Sequence, residues 1–150
     1  MHGKPTRRQA REWAIQMIVA ADLNPPENIN AFIDDEWELL AGSDPDGILS
    51  RNQAAVRQLK EFAEERVAGV LKTRDELDAL IAPLLDDWEL HRLGTVERSV
   101  LRMGVWEIKN SDVPAPVVIN EAVDLANWFS SPKSRALING ILDRYAKSRA

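Results

Sequence analysis

A chain of 150 residues with 45% hydrophobic and 29% charged side chains has the make-up of one globular domain, able to bury about 70% of its unfolded surface without a disulfide or metal staple. The absence of cysteine excludes disulfides, thiol nucleophiles and cysteine-based zinc sites, and no apolar run approaches the roughly 20 residues that span a bilayer, so a cytoplasmic protein is expected. A net charge of −5 excludes wholesale, nonspecific attraction to nucleic acid, and any such binding must be local.

Helical signals run the length of the chain. Thr6 with Gln9 three residues later is a capping-box pattern, and Ala10, Trp13, Ala14, Met17, Ile18 and Ala21 follow at helical spacing on one face. Asn24-Pro25-Pro26 stops that helix. A weaker helix is predicted from about Asn28 to Leu40, with Ile29, Phe32, Ile33, Trp37 and Leu40 apolar, and the polar, breaker-rich stretch from Gly42 to Gly47 is a loop.

A long helix is predicted from about Asn52, its stripe carried by Val56, Leu59, Ala63, Val67 and Val70. Thr73 and Glu76 form a second capping box before Leu77, Leu80, Ile81 and Leu84, and Pro83 should kink that helix or end it. Gly94-Thr95 restarts the chain into Val96, Val100, Leu101, Met103, Gly104, Val105 and Ile108. That arc is wide enough for a central, nearly surrounded helix.

After a break from Asn110 to Pro116, with the proline suited to a first turn, Ile119, Ala122, Val123, Ala126 and Phe129 face inward. Ser131-Pro132 caps the last helix, whose stripe is Leu137, Ile138, Ile141, Leu142 and Tyr145. No strand-like alternation competes. Residues 1–150 read as one all-α domain, a compact bundle of about seven helices.

The charges are unevenly spread, which implies separate binding faces. Lys4, Arg7, Arg8 and Arg11 lie in a segment without an acid, whereas Asp34, Asp35, Glu36, Glu38, Asp44 and Asp46 crowd a stretch without a Lys or Arg. The C-terminal stretch is basic again, with Lys133, Arg135, Arg144, Lys147 and Arg149 against Asp143.

Catalytic equipment is thin. His2 lies in a terminal tail and His91 has no partner at ligand spacing; Asp34-Asp35 and Asp86-Asp87 read as solvated helix faces. No phosphate-cradling glycine loop or nucleophile elbow is present, so neither an enzyme nor a metal or other cofactor is expected.

The cations at two helix starts carry more information. A helix N-terminus is partly positive, so Lys or Arg in its first turn is unfavourable by roughly 0.3–1 kcal/mol. Arg7 and Arg8 nevertheless follow the Thr6 cap, and Lys133 and Arg135 follow the Ser131 cap. Basic chain ends can serve solubility alone, which suffices for Lys147 and Arg149. At the two capped starts, first-turn N–H groups and cations together favour phosphate, and one RNA strand contacting both clusters is the expectation. Aromatic interleaving is sparse: Trp13 and Phe129 fall on core stripes, and Trp88 and Trp106 are expected to be partly exposed. Phosphate positioning is therefore better supported than base stacking.

Several stretches resemble the NusB family of bacterial transcription antitermination factors. They are Val113-Pro114, then Val117 through Ala126, Phe129-Ser130, and Ile138-Asn139-Gly140-Ile141-Leu142-Asp143. Leu93-Gly94, Val96-Glu97-Arg98 and Val100 to Gly104 are similar to the family's central helix. Arg7-Arg8, Ala10-Arg11-Glu12 and Ala14-Ile15-Gln16 are similar to its basic first helix, and Phe62, Val67, Gly69-Val70 and Leu71 to the helix between. Each piece is weak alone, and four in order make a specific match; Leu23 to Ala55 carries little of it. Leu137 stands where the family usually has Phe and Val19 where it often has Tyr, so neither offers a stacking ring or hydroxyl here.

The resemblance implies two packed helical subdomains and antitermination without catalysis. It implies RNA binding at boxA elements beside the small ribosomal protein known as NusE, in the transcription elongation complex of ribosomal RNA operons. The arginine-rich first helix would bind RNA, here Arg7, Arg8 and Arg11 with Lys4 nearby, helped by the start of the last helix, here Lys133, Arg135 and Leu137. The partner would dock near the central helix at Glu97, which could instead pair on the surface with Arg98 or Arg102. Some members form homodimers.

Two alternatives compete. One is a protein-binding adaptor using the acidic stretch from Asp34 to Glu38. The other is a stand-alone relative of the helical RNA-binding module of ribosomal-RNA cytosine methyltransferases, whose large catalytic domain residues 1–150 do not carry.

Overall fold

Three helices open on side chains that take up a first-turn N–H; the sequence predicts the caps at Thr6 and Ser131, and the structure adds Asn28. Thr6 Oγ1 accepts from the Gln9 N–H at 3.3 Å, Asn28 Oδ1 from Ala31 at 2.9 Å and Ser131 Oγ from Ser134 at 3.2 Å. The computed structural model describes residues 6–45, 47–49, 53–85, 90–127 and 131–149. Among them it contains seven α-helices and no strand, the expected all-α fold. They are α1 (Arg7–Leu23), α2 (Ile29–Gly42), α3 (Ala54–Lys72), α4 (Arg74–Ile81), α5 (Thr95–Asn110), α6 (Ala115–Ala126) and α7 (Pro132–Ser148). The chain forms two compact units, Met1–Leu71 and Lys72–Ala150.

In the first unit, every residue of the predicted α1 face is buried, together with Ile15 and Arg11. The weaker α2 buries only Ile33 and Trp37. Trp37 does much of its anchoring: its ring meets Trp13 edge-on with centroids 5.7 Å apart, and its Nε1 donates to Glu64 Oε1 on α3 at 2.6 Å. After α2, the Asp44 carboxylate accepts from the Leu49 N–H at 2.7 Å, and Gly47 takes φ 64°, a conformation that suits glycine.

The second unit is built on α5. Every residue from Ser99 to Glu107 is buried, so the wide apolar arc has become a helix with no outward side over that stretch. Trp106 lies within it at 7% exposure, which corrects the expectation of partial exposure. The arc closes around the helix and takes the indole with it. Gly104 brings α7 close: a Cβ there would stand 2.9 Å from both Leu142 methyl carbons.

The second capping box is also corrected. Thr73 holds the N-cap position of α4 without a side-chain capping bond, and Glu76 is drawn to Lys109 Nζ on α5 at 2.6 Å. Pro83 ends α4 as expected, in a 3-10 turn from Ala82 to Leu84. Pro114 caps α6, with Pro116 in its first turn. On α7, Ile138, Ile141, Leu142 and Tyr145 are buried, while Leu137 is only partly so. Phe129 and Trp88 lie outside the described residues.

Candidate nucleic-acid interface

The start of α1 carries Arg7 and Arg8 on exposed positions and no acid in the first turn. Arg11, one turn on, is different: it is 3% exposed, packed beneath α3. The sequence treats the three arginines alike, and the structure separates them. Arg7 and Arg11 each place a guanidinium 5.1 Å from the centre of the Phe62 ring, and Arg66, itself 3% exposed, places one at 3.4 Å. Arg66 also donates from Nη1 to the Phe62 carbonyl at 3.2 Å. Sequence reasoning quoted Phe62 only for its resemblance and passed over Arg66. The available signal was the i, i+4 spacing of Phe62 with Arg66, echoed by Arg7 with Arg11.

Glu12 follows Arg11 on α1 and is half-buried. Burial raises its carboxyl above the ordinary carboxylate range, and the Arg8 charge draws it part of the way back. Lys4 lies outside the described residues.

The second cluster belongs to the other unit. Lys133, Ser134 and Leu137 of α7 line a cleft of about 240 Å³ with Arg92, Leu93, Gly94 and Glu97. Lys133 is exposed; Arg135 is part-buried and does not line the cleft. Glu97, which the sequence assigned to a partner surface, thus shares a concavity with two residues assigned to RNA. Its carboxylate lies over Gly94, where an added Cβ would clash with it. Its alternative partners are engaged elsewhere. Arg102 holds Asp78, and Arg98 donates to the Leu93 and His91 carbonyls and to Thr95 Oγ1.

The basic C-terminal turn reads differently. Lys147 pairs with Asp143 at 2.8 Å and Arg149 lies 5.7 Å over the Tyr145 ring. The acidic stretch keeps Asp34, Asp35 and Glu38 exposed, and burial followed by the Asp35 charge raises the Glu36 carboxyl. Among the described residues, no helix is long and apolar enough to cross a membrane.

Comparison with known proteins decides the family. The model of the NusB family matches residues 8–147. The chain belongs to the NusB family. It is 37% identical to the transcription antitermination protein NusB of a Nitratiruptor species, over 95% of this chain and 92% of that protein. It is 36% identical to the NusB of Myxococcus xanthus, over 93% and 94%. Among solved structures, T. maritima NusB superposes with a TM-score of 0.77 at 28% identity, over 97% of this chain and 93% of that one. A NusB chain from a crystal structure of antitermination factors NusB and NusE in complex with dsRNA gives 0.74 at 27% identity, over 95% and 96%. The resemblance and fold expected from the sequence are therefore those found.

Proposed function

We propose that this chain is a transcription antitermination factor that binds boxA-type RNA together with the small ribosomal protein NusE in the elongation complex, without catalysis of its own. The observation that supports it is the pair of capped helix starts. Both α1 and α7 lack an acid in the first turn and carry cations against their own dipole, an arrangement that an anion makes favourable. Arg7 and Arg8 take RNA phosphates at one, and Lys133 and Arg135 take them at the other. Leu137 offers the α7 cleft an apolar wall. The two units act in this as one functional module.

Glu97 lines the same cleft as Lys133, so the basic ribosomal partner and the RNA approach one end of α5. An acid there suits a basic partner and also keeps the RNA phosphates away from its own position.

The test is a titration of boxA RNA with and without NusE. Two weak contacts made by one assembly should give a large gain in affinity when both are present, because the second contact forms at high effective concentration. Equal RNA affinity in both titrations would count against joint recognition. The adaptor reading predicts binding that responds little to salt, whereas phosphate contacts predict a steep fall.

A further inference from the structure

Phe62 and Arg66 of α3 have no part in the function described above, yet they stand where α1 carries its arginines. Arg7 and Arg11 are four residues apart and so share one side of α1. Both guanidiniums lie within the roughly 6 Å over which an aromatic ring attracts a cation, as does that of Arg66. Arg11 and Arg66 are buried, Phe62 is partly buried and Arg7 is exposed. A leucine could fill the same space, but only a ring face attracts guanidinium groups. An arginine at an exposed helix start would otherwise sample many rotamers, all of which binding must reduce to one.

We propose that Phe62 is a positioning residue for RNA binding: its ring, flanked by Arg11 and Arg66, holds the Arg7 guanidinium ready for a phosphate at the start of α1. This rests on the RNA-binding reading of α1. Arg11 acts here by shaping the cluster rather than by reaching the RNA.

The experiment compares Phe62→Leu, Phe62→Tyr, Arg7→Ala and the Arg7→Ala/Phe62→Leu double variant of the full chain. RNA affinity is measured with a boxA-bearing single-stranded oligonucleotide in the presence of NusE, and the ring-current shift of the Arg7 side-chain protons by NMR without RNA. Phe62→Leu should weaken binding roughly three- to tenfold, while Phe62→Tyr, which keeps the ring, restores it. The double variant should bind no worse than Arg7→Ala, and the Arg7 ring-current shift should vanish in Phe62→Leu and persist in Phe62→Tyr. Full affinity in Phe62→Leu beside a weakened Arg7→Ala would overturn the proposal, as would additive losses or a tyrosine that fails to rescue. An Arg7→Ala variant that binds normally would remove the RNA reading of α1 and this inference with it; a persisting ring-current shift would then locate the error in that reading rather than in the side-chain arrangement.

Discussion

Arg102 of α5 grips Asp78 of α4 through two parallel hydrogen bonds, Nε to Oδ1 at 2.7 Å and Nη2 to Oδ2 at 3.0 Å. The arginine is 6% exposed, whereas the aspartate side chain keeps 28%. Removing the acid takes the bidentate partner from a buried cation. Asp78→Ala should therefore cost about 2 kcal/mol, below the 3–5 kcal/mol typical of fully buried pairs because water still reaches the acid. Adding Arg102→Met should recover much of that loss in urea unfolding. A double variant as unstable as Asp78→Ala would show that the pair does more than neutralise itself.

Replacing Arg7 and Arg8 by Ala tests the α1 phosphate site directly. Each lost contact to single-stranded RNA should lower the slope of log affinity against log salt by roughly 0.7. Binding should weaken across RNA sequences while the fold stays intact or becomes slightly steadier, since cations leave a partly positive helix end. An unchanged salt slope would return both arginines to a solubility role.

Glu12 gives a pH signature. Its carboxyl holds a proton more readily in the folded chain than in the unfolded one, because burial disfavours the charge. Its contribution to stability is thus fully present below the unfolded value of about 4.3 and is lost as pH rises through the higher folded value. Glu12→Gln should melt above the parent chain at pH 7, the gap closing as pH falls below about 4. With the acid beside Arg8 gone, RNA affinity should also rise. A gap that widens on acidification would reverse the assignment.

Glu97 needs a gentler substitution than charge reversal. It sits in the first turn of α5 with its carboxylate over Gly94, where the helix end favours negative charge. Glu97→Lys would lose that contribution and place a cation there, mixing a stability effect into the binding measurement. Glu97→Gln keeps the shape. It loses the charge without placing a cation there, so it should weaken NusE binding at a stability cost of no more than about 0.3–1 kcal/mol, read by titration calorimetry and a thermal melt. Undiminished NusE affinity would place the partner elsewhere.

Local chemistry was legible in the sequence. Thr6 and Ser131 announce their helices because a cap is a contact between residues three apart, and Pro83 ends α4 because its ring lacks an N–H. The Thr73 and Glu76 pattern misled for the opposite reason: Lys109, distant in sequence, competes for the glutamate. The same limit hid the arginine cluster at Phe62, which exists only once α1 lies against α3. Glu97 and Lys133 were each assigned a surface, but their shared cleft depends on how α5 and α7 pack.

The unbroken burial from Ser99 to Glu107 sets how freely this chain can tolerate substitution along α5. A helix with a wet face offers silent positions every few residues, where substitutions pass with little effect. Over that stretch α5 has no such positions, so tolerance to mutation should not rise and fall with the helical turn there as it does along α3. Variation is left to the two ends of the helix, and the N-terminal end is where Glu97 meets its cleft.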